Sequence, residues 1–474
     1  MPSLGSIFYG AVINPKTLTA YDAFPKCLLS VGSDGNIEWM EENVEGHALQ
    51  DTLANKGLVD VDIIQLQPGE FLLPGFIDTH THAPQFPNLG RGQHYKLLEW
   101  LEHVTFPMEA KFSDIEFART SYQSVVRRVI DCGTTTCCYY GTLHLEATKL
   151  LADIVHANGQ RAFVGKCNMD RKSPNYYIEP SAEVSIRDTK ALISHVRSLH
   201  SPSETQDILP LVQPILTPRF AISCTPELLT SLGELASSDP SLHIQTHISE
   251  NLSEIEVVRN LFPDSPHYAG VYDHFGLLRS NTILAHGVWL EDAEMELIAK
   301  RKAGISHCPT SNLNLSSGTA PVGAYLDKGI KVGLGTDVSG GFSPSILNAI
   351  QNTSITSKVV AMQNGDLGKS ETTFVNRQFS LATLVYLATM GGAEVCDIDK
   401  RVGSFAPGKS FDALLIDTGP NAGTTGLWFP EDVQRGDQVA LQGLLEFFLF
   451  CGDDRNISRV YVQGRLIGGK SYKA

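Results

Sequence analysis

From residue 74 onward the chain alternates short apolar runs with longer helix-like segments. The runs are FIDTHTH (76–82), TTTCCYYG (134–141), RAFVGKC (161–167), ILPLVQPIL (208–216), LHIQTHISE (242–250), TILAHG (282–287), GISHCP (304–309) and KVGLGTD (331–337). Helix candidates between them lie at 113–131, 145–158, 182–199, 226–237, 251–261 and 291–302. Continuous apolar strands alternating with helices predict a parallel sheet covered on both faces. Eight such runs predict a closed α/β architecture, a (β/α)8 TIM-like barrel. An open doubly wound sheet fits less well, because no glycine-rich phosphate loop follows the first run.

The two ends of the chain have a different texture. IFYGAVIN, CLLSVGSDGNIEWM and DIIQLQPGEFLLPG read as strands and turns, with SDGN as a hairpin turn. The same texture returns in RVGSFAPGKSFDALLID and ISRVYVQGRLIGG. The expected organisation is a barrel over 74–398, flanked by 1–73 and 399–474, which pair into one small accessory β-sandwich domain.

Composition narrows the class. Of 474 residues, 42% are hydrophobic and 19% charged, as in a globular protein with a large core. A net charge of −15 and the lack of any Lys/Arg-rich run argue against nucleic acid as a partner. The nine cysteines are odd in number and irregularly spaced, and Cys132, Cys137, Cys138 and Cys167 sit in apolar runs. Buried thiols in a reducing compartment are the expectation, not a disulfide framework. MPSLGSIFYGAVINP has no charged region leading into a long apolar stretch, and LLEFFLF (444–450) is too short to span a bilayer. A cytoplasmic protein without membrane association is therefore expected.

The candidate chemistry collects where the runs end. In a barrel the strand C-termini carry the active site. The first run ends at His80 and His82, two residues apart and hence on one side of a strand. Run five ends near His247 and Glu250, run six at His286 and run eight at Asp337. Any one has a plain structural explanation: a lone core histidine, or Asp337 capping the next helix. Together at one rim, three histidines and an aspartate suit zinc, which accepts imidazole and carboxylate and keeps a place for water.

This constellation resembles the amidohydrolase superfamily over essentially the whole chain, and VGSFAPGKSFDALLID and VYVQGRLI are similar to its accessory β-sandwich segments. The resemblance implies metal ligation by His80, His82, His247 and Asp337, with His286 as the strand-six histidine. Binuclear members carry a carboxylated lysine at the end of strand four. Here that end reads QPILTPRF, and Lys166 lies one strand too early. One Zn2+ per chain follows, the deaminase pattern, although similar sites also accept iron. Glu250, just past His247 in HISE, suits proton transfer if its pKa is raised. The separate zinc cytidine-deaminase class is excluded: HLE (144–146) imitates half its signature, but no P-C-x-x-C occurs.

Within that superfamily HTHAPQF, LLEWLEHVTFPMEAKF (97–112) and LTPRFA (216–221) resemble members that deaminate guanine. The resemblance places Gln85 and Arg219 on the purine, with Phe220 beside the ring and Trp100 shaping the wall. The physical logic agrees, since a guanidinium fork matches the adjacent O6 and N7 acceptors of guanine. Plain alternatives are a salt-bridged rim arginine, a loop glutamine and a helix-core tryptophan. The expected reaction is attack of water on C2, with Glu250 protonating N3, Asp337 as ligand and base, and His286 orienting the water. A homodimer is implied by the same resemblance. The nearer rival is a mononuclear relative acting on a triazine, pterin or other purine; the farther is a non-catalytic scaffold. His307 and Asn312, in SHCPTSN, receive no chemical step, and Cys308 reads as buried.

Overall fold

The computed structural model describes residues 5–59, 61–200, 210–365, 373–423 and 435–473. The N-terminal strands are β1 (Ser6–Thr17), β2 (Ala20–Val31), β3 (Ile37–Glu41), β4 (Ile63–Gln65) and β5 (Glu70–Pro74). Barrel strands follow as β6 (Phe76–His82), β7 (Thr134–Tyr140), β8 (Arg161–Gly165) with its short continuation β9 (Cys167–Asn168), β10 (Val212–Pro218), β11 (His243–Ile248), β12 (Thr282–His286), β13 (Gly304–His307) and β14 (Lys331–Leu334). Last come β15 (Ala413–Asp417), β16 (Ile457–Val462) and β17 (Arg465–Gly468).

Strands β6, β7, β8, β10, β11, β12, β13 and β14 pair side by side and in parallel, with β9 also beside β10. Hydrogen bonds at the seam join the first strand to the last: Thr79 Oγ1 donates to Leu334 O at 2.9 Å, and Asp337 N to His80 O at 2.9 Å. The barrel expected from the eight runs is present, with the fourth strand starting at Val212; residues 208–209 of that run lie outside the described residues. Every residue of β6 and β7 is buried, because barrel interior and helical layer both cover them. The outer helices bury one stripe each. Ile115–Asp131 buries Ala118, Tyr122, Val125, Val126, Val129 and Ile130 at helical spacing, and Asp114 caps it by accepting from Glu116 N at 2.9 Å.

The two chain ends pair as expected, in one sheet of order β17-β16-β15-β5-β1-β2-β3 with β4 beside β1. The SDGN turn links β2 to β3, with Gly35 at φ 80°. That hairpin curls back onto the C-terminal strands: Ile37 N donates to Lys409 O at 2.7 Å and Phe411 N to Gly35 O at 2.9 Å. The sheet thereby encloses its own core of Phe8, Leu29, Phe411 and Tyr461, the Phe8 and Phe411 rings 4.8 Å apart. LLEFFLF belongs to the helix Gln438–Cys451, which packs Phe448 on Phe71 and Phe76 between sheet and barrel. No described helix is long and apolar enough to cross a membrane. Eight cysteines are buried and Cys451 is exposed.

Candidate active site

The ends of β6, β11 and β12, and the segment after β14, bring His80, His82, His247, His286 and Asp337 together. Asp78, in the middle of β6, holds the first and last strands in register. It accepts from His80 N at 3.1 Å, Thr336 N at 3.0 Å and Thr336 Oγ1 at 2.5 Å. His80 Nε2 lies 3.1 Å from Asp337 Oδ1, and His82 Nε2 lies 3.5 Å from the same oxygen. His82 Nε2 and His247 Nε2 face each other at 3.1 Å. His286 Nε2 stands 3.4 Å from Glu250 Oε2 and 3.8 Å from Asp337 Oδ2. His286 and Asp337 have positive φ, 76° and 45°. This uncommon backbone for non-glycine residues aims side chains at a site at some conformational cost.

Two of the imidazoles have a determined tautomer. His247 Nδ1 donates to the Arg219 carbonyl at 2.5 Å, and a carbonyl can only accept. Its Nε2 is then a bare lone pair turned toward His82. His286 Nδ1 donates to Asn312 Oδ1 at 2.9 Å, and His286 Nε2 is buried without a hydrogen-bond partner. Among the described residues, His80, His247, His286 and Asp337 form a group whose ligand atoms all lie within 4.8 Å of one another. Burial lowers the pKa of His80, His82 and His247, keeping them neutral. Burial alone would raise Asp337, but the hydrogen bond and charge of His80, with His286 and His82, hold it well below the usual range. Neutral imidazoles beside an ionised carboxylate are the forms a cation requires, so the donor set fits a metal ion.

Glu250 differs. Burial, with Asp337 and Glu254 adding to it against the lowering by His286, pushes its carboxyl up to about 7. Ser317 Oγ donates to its Oε1 at 3.3 Å. Burial would lower His286, but Glu250 and Asp337 outweigh it and raise its proton affinity. A carboxyl that titrates near neutrality beside a histidine of raised proton affinity can carry protons in both directions.

His82, His247, Glu250, His286 and Asp337 line one pocket with Gln85, Leu97, Trp100, Leu101, Arg219, Phe220, Glu254 and Leu315. The helix Leu97–Trp100 and its continuation Leu101–Thr105 place Leu97, Trp100 and Leu101 over it. Of the expected metal, catalytic and substrate residues all but His80 line this pocket, and His80 meets it through Asp337. Asn312 touches His286, whereas His307 faces a different cavity beside Val322 and Phe379. Lys166 is buried in an ion pair with Glu179, and Cys308 is buried.

Sequence reasoning missed Glu109 and Glu254. Glu254 accepts from Glu250 N at 2.8 Å and Asn251 N at 3.2 Å, completing a capping box whose N-x-x-E spacing is visible in the sequence. Glu109 has no such local signal.

A (β/α)8 barrel with a buried histidine–carboxylate group at its C-terminal rim defines a barrel protein built to hold a metal ion. Sequence comparison places it more closely: residues 71–467 match the amidohydrolase family, and the chain belongs to that family. It is 46% identical over 441 residues to a probable guanine deaminase of Schizosaccharomyces pombe, covering 93% of this chain and 80% of that one. It is 42% identical to the guanine deaminase of Dictyostelium discoideum over 466 residues, 97% of this chain and 98% of that one. The crystal structure of a C. acetobutylicum guanine deaminase with bound guanine superposes with a TM-score of 0.83 at 35% identity, covering 97% of this chain and 99% of that one.

Proposed function

We propose that the protein is a zinc-dependent guanine deaminase, converting guanine and water to xanthine and ammonia. The observation that carries this reading is the meeting, around one pocket, of the metal-type cluster, Glu250 and the Gln85–Arg219 pair. The near-full-length likeness to guanine deaminases supports the same substrate.

His80, His82, His247 and Asp337 would hold one zinc ion. The group whose ligand atoms all lie within 4.8 Å of one another contains His286 in place of His82. His82 is the better ligand of the two, because its Nε2 lies closer to Asp337 (3.5 Å) than that of His286 does (3.8 Å). His286 Nε2 in turn is closer to Glu250, at 3.4 Å. The ion supplies Lewis acidity that makes water a nucleophile at neutral pH. Asp337 accepts a proton from the attacking water, and His286 orients that water. Glu250 delivers a proton to N3 as the oxygen adds to C2. Asp337 then passes its proton to the leaving amino group, which departs as ammonia, while Glu250 takes the proton of the C2 hydroxyl as the carbonyl forms and is thereby restored. Gln85 and Arg219 hold the purine edge, with Phe220 and Trp100 against the ring. The reading takes the enzyme to be a cytoplasmic homodimer, its barrel spanning 74–398 between the accessory halves 1–73 and 399–474.

Ammonia release from guanine, adenine, cytosine and ammeline, with metal content measured on the same sample, tests the proposal. Guanine turnover with about one zinc per chain is expected for a mononuclear site. Full metal occupancy with turnover of ammeline and none of guanine would overturn the purine reading.

A further inference from the structure

Glu109 ends the short helix Phe106–Glu109 and is fully buried. Each of its oxygens accepts two hydrogen bonds. Oε1 accepts from Gln85 Nε2 at 2.9 Å and Arg219 Nη2 at 3.1 Å. Oε2 accepts from Arg219 Nη1 at 2.6 Å and Tyr177 OH at 2.7 Å. A carboxylate offers about four lone-pair directions, so none is left for a substrate.

We infer that Glu109 is a positioning residue for substrate recognition, setting the faces that Gln85 and Arg219 present to the purine without touching it. This rests on the guanine reading above. Gln85 follows β6 and Arg219 follows β10, two rim positions that no local backbone hydrogen bond relates. Glu109 ties them with a bidentate ion pair to one and a hydrogen bond to the other, geometry that fixes direction as well as distance. The Gln85 amide is held at both ends, because its Oε1 accepts from Ser339 N at 3.1 Å while its Nε2 donates to Glu109. Its donor and acceptor ends cannot exchange without breaking both bonds.

Charge makes the same point. Arg219 is buried, and Glu109 raises its proton affinity against the opposing effect of burial. Two of its five donors serve Glu109, leaving the others for a ligand. The site therefore offers a planar donor fork whose charge is already matched, which suits a neutral base such as guanine better than an anion. Phe106, on the same helix, lies under the guanidinium at 5.2 Å and restricts its tilt.

The test is steady-state kinetics of metal-loaded wild type and Glu109→Gln on guanine, with metal content and fold checked alongside. The expected result is a KM raised on the order of tenfold or more, with kcat reduced much less and zinc unchanged. A merely structural role would lower thermal stability and leave KM where it was. Pairing Glu109→Gln with Arg219→Lys should give a combined KM effect smaller than the product of the two singles, because both act through one contact. If Glu109→Gln does not fold, Tyr177→Phe removes a single donor to Oε2 and should raise KM about threefold. Guanine turnover by wild type with unchanged KM in the variant overturns this inference alone. Failure of fully metallated wild type to turn over guanine overturns the guanine reading, and this inference with it.

Discussion

Replacing Glu250 by Gln keeps the shape of a buried side chain 3.4 Å from His286 but removes its exchangeable proton. The expected outcome is retained zinc with kcat lower by about 100-fold to 10,000-fold, the usual contribution of a proton-transfer group. Stopped-time ammonia assays on the metal-analysed variant check it, and wild-type kcat would end the proton-shuttle assignment. Asn312→Ala acts one step further out. It leaves the His286 Nδ1 proton without its acceptor at 2.9 Å, so the ring loses its fixed tautomer and orientation. A loss of about tenfold to a hundredfold in kcat with zinc content unchanged is expected, read by turnover of the metal-analysed variant. The rim histidines and Asp337 were legible in the sequence because their type and their place at strand ends already specify chemistry. Glu109 was not, since its meaning lies in partners 24, 68 and 110 residues away. FPMEAKF alone carries no trace of them.

Several barrel helices begin with a side-chain cap that the sequence supplies locally, Asp114, Ser181 and Thr225 among them. For Pro226–Ser238 the cap is Thr225, whose Oγ1 accepts from Leu228 N at 3.2 Å while donating to Asp170 Oδ2 at 2.6 Å. Thr225→Ala should cost about 1 kcal/mol, seen as a lower denaturation midpoint with activity per folded molecule retained. The alternation of strands and helices was legible to within a few residues because every strand is a short, doubly covered apolar run. The helix Gln438–Cys451 was not. Its buried face of Leu441, Leu444, Leu445, Phe448 and Leu449 follows helical spacing, but Val439 and Phe450 are apolar and exposed. Those two residues erase the polar face from which the period would be read.

Barrel and accessory sheet are joined by an ion pair removed from water. Arg161, opening β8, donates from Nε to Asp412 Oδ2 at 2.9 Å, and both side chains are almost wholly buried. Asp412 also accepts from Ser410 Oγ at 2.8 Å and Gln463 N at 2.9 Å. Asp412→Ala strands a buried guanidinium and should destabilise the protein by about 3–5 kcal/mol. Urea unfolding checks it: the midpoint should fall with the slope unchanged if the two parts still unfold together. That the chain ends meet in one sheet could be expected from their shared texture, but the order of strands could not, because pairing partners in a mixed sheet leave no mark on either strand alone. The β5–β15 pairing has a consequence in time. A ribosome that has finished β5 must translate roughly 340 more residues before β15 emerges. At about 5–20 residues per second that is a wait of the order of tens of seconds. Throughout it the nascent chain carries an open strand edge of FLLP beside a barrel being assembled, the kind of edge that invites pairing with a neighbour on the same messenger.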